Sequence, residues 1–204
     1  DTWEYYDFTY DLVEIGGRCW FKQDLRTEFY ANGDSIIFAA ASSWPNVGNL
    51  NLGAWSVYQG YEYNGYVYNW YAVNDSRELC PQGWSVPSRD DYMALADTAF
   101  SYSGSNQTSN YYGAYYASEV LRDDDTWNGT NDIDYSATET GRLGGGNGAW
   151  IWNSHYAWSS DYFSVQQART FYLNVDFDSG DTDLIYNVLG DKKNGQSVRC
   201  IKNQ

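Results

Sequence analysis

Residues 69–88 read NWYAVNDSRELCPQGWSVPS and combine a cysteine, two prolines, a glycine and three Trp or Tyr rings in one short stretch. Prolines fix the backbone, so this segment has few conformations open to it. Its end predicts a helix, because Ser88 follows Pro87 and Asp91 stands three residues later, as in a capping box. The apolar residues that follow share one face of a helix of about three turns. They are Tyr92, Leu95, Ala96, Ala99 and Phe100.

Short strands are predicted on both sides of this region. Residues 9–30 read as two strands about a turn at Gly16–Gly17, and residues 66–74 as a buried strand or a short helical turn. In residues 168–177, ARTFYLNVDF, apolar and polar side chains alternate, which predicts a strand with one buried face. Residues 196–202 are the last predicted strand.

Long loops and one further helix fill the rest of the chain. Residues 31–65 and 123–149 are rich in Gly, Asn, Ser or Asp, a composition that predicts loops, and residues 178–183 predict a turn. A shorter helix is predicted around residues 114–122. Its inward-facing residues are Ala117, Val120 and Leu121.

Composition indicates an acidic, aromatic-rich protein. Its 204 residues suit a single domain. The net charge of −15 argues against nucleic-acid binding, which requires a basic face, and no apolar run is long enough for a membrane span. The chain carries 21 Tyr and 10 Trp, more rings than one core is expected to hold. Some rings are therefore expected at a recognition surface.

The cysteines match no zinc pattern, and a single histidine cannot complete a zinc site with them. They are Cys19, Cys80 and Cys200. One disulfide and one unpaired cysteine is the simplest interpretation, and the pairing stays open at this point.

Several segments, in order along the chain, carry a resemblance to a known family. They are EIGGRCWFKQDLRT at 14–27, YNWYAVN at 68–74, LCPQGWSVPS at 79–88, YAWSSDY at 156–162 and KKNGQSVRCIK at 192–202. Together they resemble the Fibrobacter succinogenes major paralogous domain over about residues 9–203. This resemblance predicts one domain over residues 1–204, in which residues 1–8 are an N-terminal extension.

The resemblance implies a C-type-lectin-like fold of the α+β class, with two helices, small twisted antiparallel sheets and long loops. It also implies a secreted or cell-surface protein. It implies a disulfide between Cys80 and Cys200, closing a loop of about 120 residues, with Trp84 packed under the helix. Cys19 departs from the family pattern, in which a polar residue commonly precedes the Trp. It is either a buried free thiol or a cross-link to another chain.

Two acidic stretches are candidates for calcium, which takes about six to eight oxygen ligands. Candidate ligands in the first, RDDDTWNGTNDID, are Asp123, Asp125, Asn128, Asp132 and Asp134. The second, VDFDSGDTD, offers Asp176, Asp178, Asp181 and Asp183. C-type lectins often hold calcium in this long-loop region, so the resemblance makes calcium the cofactor to consider. The favoured alternative is solvated loops in which Asp occupies turn positions.

The sequence predicts no enzyme. The single histidine, His155, has no recognisable nucleophile or carboxylate partner. No phosphate-binding loop, dinucleotide fingerprint or nucleophile elbow is present. Formylglycine-generating enzymes share the implied fold, but their catalytic cysteine pair is not recognisable in this chain.

Aromatic and amide side chains are concentrated between residues 150 and 187. Rings stack on sugar faces, amides bind hydroxyl groups, and Tyr-rich surfaces also suit protein recognition. The candidate ligand-binding residues are Trp150, Trp152, Tyr156, Trp158, Tyr162, Tyr172, Asn174, Asp176 and Tyr186. The alternative is that half or more of these rings belong to a core.

The sequence therefore predicts a non-catalytic, exported or cell-surface module that binds a glycan or a surface protein through residues 123–187. The alternative is a structural subunit or tip of a surface fibre or phage tail, in which residues 1–10, DTWEYYDFTY, dock on a neighbour. The composition of residues 150–194 also fits a diversified binding face.

Overall fold

Strands outnumber helices in the computed structural model, which describes residues 1–103, 117–152, 154–174 and 184–204, with the main chain alone at 174 and 184–187. The strands are β1 (Thr2–Tyr5), β2 (Phe8–Ile15), β3 (Arg18–Phe21), β4 (Ile37–Phe38), β5 (Ala54–Ser56), β6 (Val67–Tyr68), β7 (Trp84–Ser85), β8 (Arg142–Leu143), β9 (Trp150–Ile151), β10 (Ser154–Tyr162), β11 (Gln167–Asn174), β12 (Leu184–Asp191) and β13 (Ile201–Lys202). The helices are α1 (Trp44–Asn49), α2 (Trp70–Val73) and α3 (Arg89–Tyr102), with a 3-10 turn at Glu62–Asn64 and helical residues at 117–121. The protein therefore belongs to the α+β class. No helix within the described ranges combines the length and apolar character that a membrane crossing requires.

Five strands form one sheet in the order β1-β2-β3-β13-β7, with antiparallel neighbours throughout. The predicted turn at Gly16–Gly17 joins β2 to β3, and both glycines adopt a positive φ, 61° and 74°, which a side chain would disfavour. Strand β1 adds residues 2–5 to the sheet edge, within the stretch predicted to be an extension. The last predicted strand is shorter than residues 196–202, because only Ile201–Lys202 pair in this sheet.

Strands β10, β11 and β12 form a second antiparallel sheet, and α3 packs on one of its faces. Tyr92 of α3 stacks on Phe171 of β11 with ring centroids 4.5 Å apart. Phe171 is buried, as the alternation predicts, but Thr170 on the opposite face is buried too. A separate apolar cluster around Trp158 covers that opposite face. Residues 175–183, with the predicted turn, lie outside the described residues.

Helix α3 begins at the predicted capping box. The Asp91 amide donates to Ser88 Oγ at 3.2 Å, and the Ser88 amide donates to Asp91 Oδ2 at 2.8 Å. Asp91 also pairs with Arg18 of β3 at 2.5 Å, so the cap ties the helix to the first sheet. The predicted apolar stripe of α3 is buried in full. The shorter helix is present at 117–121, and its predicted inward residues Ala117, Val120 and Leu121 are buried.

The stretch 31–65, predicted as loop, contains short regular elements. Strands β4, β5 and β6 form a small sheet in which β4 and β5 run parallel, so the sheets are not all antiparallel as expected. In α1, the buried Trp44 donates from Nε1 to the Lys193 carbonyl at 2.8 Å, which fixes this helix to the C-terminal part of the chain. Residues 66–74 contain both predicted possibilities, the strand β6 and the helical turn α2, which Asn69 caps.

Cys80 and Cys200 form the disulfide that the resemblance implies, across a sequence separation of 120. Cys19 is a free, partly buried thiol whose pKa is raised by burial. Trp84, beside the disulfide, packs against Phe21 of β3 with ring centroids 4.4 Å apart. It does not join the apolar cluster of α3, contrary to the prediction, because β7 places it in the other cluster.

Candidate functional site

A cleft of about 400 Å³ opens where the segment 58–64 meets the residues around Trp152. Small-molecule sites have volumes of roughly 300–1,000 Å³, so it is large enough to hold a ligand. We call it the aromatic cleft, and its lining residues are Tyr58, Tyr61, Tyr63, Asn64, Thr126, Glu139 and Trp152.

Consecutive tight turns present the tyrosines of the segment 58–64. The Tyr61 amide donates to the Tyr58 carbonyl, and the Asn64 amide to the Tyr61 carbonyl, both at 3.0 Å. Gly65 ends the 3-10 turn at a φ of 98°, a conformation that favours glycine. A Cβ at Gly65 would lie 2.7 Å from the Cβ of Asp24. The main chain at residue 65 can therefore approach Asp24 this closely only because glycine has no side chain.

The rings of the cleft hold one another in place. Trp152 meets the edge of Tyr58 at 4.7 Å and lies 5.7 Å from Tyr61. Trp150 stacks on Trp152 at 5.6 Å, and Tyr61 stacks on Tyr63 at 5.8 Å. Even so, Tyr58, Tyr61 and Tyr63 keep exposed fractions of 40%, 44% and 54%. The cleft thus offers ring faces that are ordered before a ligand arrives, which lowers the entropy lost on binding.

The polar groups of the cleft include an acceptor that has no partner among the residues that the structure describes. Asn64 is 7% exposed, and its Nδ2 donates to the Glu139 carbonyl at 3.2 Å. This bond fixes the amide orientation, and Asn64 Oδ1 then has no hydrogen-bond partner among the described residues. Glu139 lines the same cleft. Thr126 donates its hydroxyl to Asp123 at 2.8 Å, so its remaining capacity is as an acceptor.

A buried charged group adjoins this segment. Asp24, which touches Gly65, pairs with Arg199, and Asp24 Oδ2 lies 3.6 Å from His155 Nδ1. All three side chains are completely buried. Burial lowers the pKa of His155 despite the neighbouring carboxylate, so the ring is neutral and its Nδ1 donates to the Thr138 carbonyl at 3.1 Å. His155 thus lies in the interior, and none of its side chain is exposed.

The predicted ligand-binding residues do not form one surface. Trp150 and Trp152 belong to the aromatic cleft. Tyr156 and Tyr172 pair with each other at 4.6 Å on β10 and β11, and the guanidinium of Arg142 lies 5.0 Å from the Tyr156 ring.

The other predicted rings have different environments. Tyr162 is 59% exposed, and Lys192 Nζ lies 4.0 Å from its ring centroid. The prediction that Trp158 binds ligand is wrong, because its ring is completely buried and its Nε1 donates to the Tyr68 carbonyl at 2.7 Å. Asp176 and the side chains of Asn174 and Tyr186 lie outside the described residues.

Among the candidate calcium ligands of residues 123–134, Asp123, Asp132 and Asp134 have oxygens in contact with other groups of the chain. Asp123 Oδ1 accepts from the amides of Asp125 and Thr126, at 3.2 Å and 2.8 Å. Asp134 pairs with Lys22 at 3.1 Å. Asn128 is exposed at a turn with a φ of 56°.

Asp132 is the third candidate with an oxygen in such a contact. Asp132 accepts from the Thr130 hydroxyl at 2.6 Å. Within the described parts of the chain, no three His, Cys, Asp or Glu side chains are grouped so that they could hold a metal ion. The second acidic stretch, with Asp176, Asp178, Asp181 and Asp183, is not among the described residues. Calcium binding therefore stays a prediction.

The sequence analysis did not include Tyr58, Tyr61 and Tyr63 among the candidate binding residues, because it predicted residues 31–65 to be loop. Their signal is the segment YQGYEYNGY at 58–66, in which tyrosines alternate with Gly, Asn, Gln and Glu. Large rings set among turn residues, with no helical or strand period that continues, are candidates for a recognition surface.

A second cavity, of about 330 Å³, lies beside the disulfide. Among the described residues that line it, the one aromatic residue is Trp84, and Trp84 is 3% exposed. Without an accessible ring face, this cavity is less suited to ring stacking than the aromatic cleft.

A family model described as the Fibrobacter succinogenes major domain matches residues 13–202. No curated protein and no solved structure matches the chain.

Proposed function

The chain belongs to the Fibrobacter succinogenes major domain family, and on that basis, together with the aromatic cleft, we propose that it is an exported, non-catalytic module that binds a glycan. The binding site is the aromatic cleft. It adds the segment 58–64 to the face of residues 123–187 that the sequence singles out.

One observation carries the proposal: ordered, exposed ring faces meet hydrogen-bonding groups in a single cleft. Sugars present apolar C–H faces that stack on rings and hydroxyl groups that need partners. Trp152 and Tyr61, whose centroids are 5.7 Å apart, supply ring faces. Asn64, Thr126 and Glu139 line the same cleft and supply polar groups.

Binding without catalysis fits the position of the titratable groups. The single histidine of the chain is completely buried, as are Asp24 and Arg199 beside it. A catalytic acid or base must come within hydrogen-bond distance of its substrate, or be joined to it by a water. These three residues therefore support a structural role.

Export is supported by the disulfide, since such bonds persist in oxidising compartments. We further propose that the fold is C-type-lectin-like. The support is a disulfide-closed long loop, the pairing of the early strand β3 with the last strand β13, and α3 packed on the sheet β10-β11-β12.

The alternative function, a fibre or tail subunit docking through residues 1–10, has less support. Trp3 packs on Trp84 at 5.6 Å, and the Tyr5 hydroxyl donates to the Leu79 carbonyl at 3.0 Å. These rings are thus partly used inside the chain. Binding of a surface protein at the cleft remains the second candidate, since Tyr and Trp also suit protein ligands.

A glycan array, probed with labelled protein in calcium and again with chelator, tests the proposal. We expect binding to a related set of sugars, reduced more than about tenfold by Trp152→Ala or Tyr61→Ala. Tyr102→Ala is the matched control, because Tyr102 is 60% exposed and does not line the cleft. A blank array, or equal loss in all three variants, would contradict the proposal. Loss of signal in chelator would identify calcium as a cofactor.

A further inference from the structure

We propose that the aromatic cleft binds several consecutive sugar residues of an extended, uncharged glycan chain, and not a single terminal sugar. This inference rests on the proposed function and names the ligand class of the same site. Its basis is a set of three rings that line the cleft, Trp152, Tyr61 and Tyr63, which we call the ring series.

The ring series is wider than one sugar. The centroid of the Tyr61 ring lies 5.7 Å from that of Trp152 and 5.8 Å from that of Tyr63. Among the described residues, Tyr63 makes its ring contact with Tyr61, so Tyr63 lies at one end of the series and Trp152 at the other. Each step is similar to the length of one pyranose residue in an extended chain. The series can therefore stack with more than one sugar.

The planes of the ring series differ by moderate angles. Trp152 and Tyr61 are inclined by 43°, and Tyr61 and Tyr63 by 28°. Tyr58 is different, because it meets Trp152 edge to face, at 86°. Tyr61 and Tyr63 are 44% and 54% exposed, so a large part of each ring is accessible. An extended chain that bends gradually can therefore follow the series.

The size of the cleft also favours a ligand of several residues. Its volume of about 400 Å³ is more than one hexose unit fills. A single sugar would leave part of the ring series in contact with water, whereas a longer chain covers more apolar surface and gains more free energy from that burial. Tyr61 and Tyr63 also carry hydroxyl groups, which donate and accept hydrogen bonds and can bind sugar hydroxyls beside the ring faces.

The charges near the ring series argue against an anionic glycan. None of the described residues that line the cleft is Lys or Arg. Glu62, between Tyr61 and Tyr63 in the chain, has its pKa lowered by the hydrogen bond from the Gly60 amide, so it is ionised at neutral pH. The whole chain carries a net charge of −15. Carboxylate and sulfate groups bind best to basic partners, so uronic-acid and sulfated polymers are disfavoured at this site.

A basic residue, Arg26, does contact the segment 58–64. Its guanidinium donates to the main-chain carbonyl of Tyr63 and lies 4.3 Å from the centroid of the Phe8 ring. Arg26 does not line the cleft. We therefore assign it to holding the main chain of Tyr63 in place.

Calorimetric titration with oligosaccharides of one to six residues tests the inference. The neutral probes are β-1,4-linked oligomers of glucose, xylose, mannose and N-acetylglucosamine, and galacturonic-acid oligomers are the anionic series. We expect at least one neutral series to bind, with an affinity that rises about tenfold or more from one residue to three and then reaches a plateau. At low salt the anionic series should bind more weakly than neutral oligomers of equal length.

Tyr63→Ala and Trp152→Ala remove opposite ends of the ring series. Each should weaken binding of the three-residue oligomer about tenfold and move the plateau to a shorter length. A variant that only perturbed the fold would lower the affinity for every length in the same proportion and leave the plateau where it was. Tyr102→Ala, which truncates a similarly exposed ring outside the cleft, should change neither quantity. Circular dichroism on each variant checks folding.

Three results would each overturn the inference: equal affinity for one residue and for three, tighter binding of the anionic series, or a plateau that neither variant moves. So would the absence of binding to every neutral oligomer while the glycan array shows binding to other sugars. Failure of the proposed function has a different signature, because no glycan on the array would then be bound.

Discussion

The guanidinium of Arg199 donates two hydrogen bonds to one oxygen of Asp24, from Nε at 2.9 Å and from Nη2 at 2.7 Å. Both side chains are completely buried. Burial alone would lower the pKa of Arg199, but the Asp24 carboxylate raises it above its ordinary value, so the charge is retained. The pair joins positions 175 residues apart and lies against Gly65, which ends the cleft segment.

Removing one partner of the Asp24–Arg199 pair should strongly destabilise the folded protein. Asp24→Leu or Arg199→Met should each lower the free energy of unfolding by about 3–5 kcal/mol, because each leaves a buried charge or acceptor uncompensated. The double variant should be destabilised by clearly less than the sum of the two. Urea denaturation of the four proteins measures this coupling, and strictly additive losses would show that the pair does not act as a unit.

The disulfide should contribute about 4–5 kcal/mol, because closing a loop of 120 residues restricts the unfolded chain. The double variant Cys80→Ala/Cys200→Ala should lose that amount in urea denaturation, and so should the wild-type protein in reductant. Cys19→Ala is the control, since this thiol is free. An equal loss in the control would mean that cysteine burial, and not the crosslink, is being measured.

Because His155 is buried, the free energy of unfolding should depend on pH in a direction that can be measured. Burial lowers the pKa of His155 in the folded protein, so below about pH 6.5 the unfolded chain binds a proton that the folded protein does not. Stability should therefore fall as pH drops from about 6.5, by at most about 1.4 kcal/mol per pH unit, above the range where carboxylates titrate. Chemical denaturation from pH 7.5 to 5.5 measures the slope, which His155→Gln should flatten.

A spectroscopic measurement on the unmodified protein keeps this prediction testable even if that variant fails to fold. Nitrogen–proton correlation of the His155 ring should report the neutral form with the proton on Nδ1, which donates to the Thr138 carbonyl. A ring that titrates near pH 6.5 in the folded protein would contradict the account.

Two glycines of the cleft segment offer a matched pair of substitutions. Gly60 and Gly65 both have a positive φ, 90° and 98°, so alanine at either costs about 1–2 kcal/mol in backbone energy. Only at Gly65 would the new Cβ meet Asp24, at 2.7 Å, while Gly60 faces open space. Gly65→Ala should therefore lose about 1–3 kcal/mol more than Gly60→Ala in thermal or urea denaturation. Equal losses would mean that the close approach to Asp24 is unimportant.

The sequence predicted correctly those features that depend only on residues close together in the chain. The capping box at Ser88 and the apolar stripe of α3 need only contacts within one helix, and both are present. The turn at Gly16–Gly17 and the pairing of Cys80 with Cys200 are also confirmed, the latter through the resemblance to the family.

The sequence did not predict the burial of Trp158 or the position of the aromatic cleft, because both depend on packing between distant parts of the chain. Strand periodicity predicts that one face is buried, but a sheet covered on both sides buries rings on either face, and Trp158 lies on the second. The cleft joins Tyr58 to Trp152, two loop residues whose proximity depends on the whole fold. The calcium prediction for the Asp-rich stretch is a separate case and stays a prediction; there, Asp123 Oδ1 accepts from two nearby amides.

The place of β13 has a consequence for folding kinetics. Ile201 pairs with Trp20 on one side and with Ser85 on the other, so the last strand in sequence lies inside the sheet, not at its edge. The sheet therefore cannot close until that strand has been synthesised. Contacts between residues so far apart in sequence slow folding, because the chain loses the entropy of loop closure before these contacts form and stabilise the structure. During synthesis, β3 and β7 would each expose an unpaired edge, which makes the incomplete chain prone to aggregation in that interval.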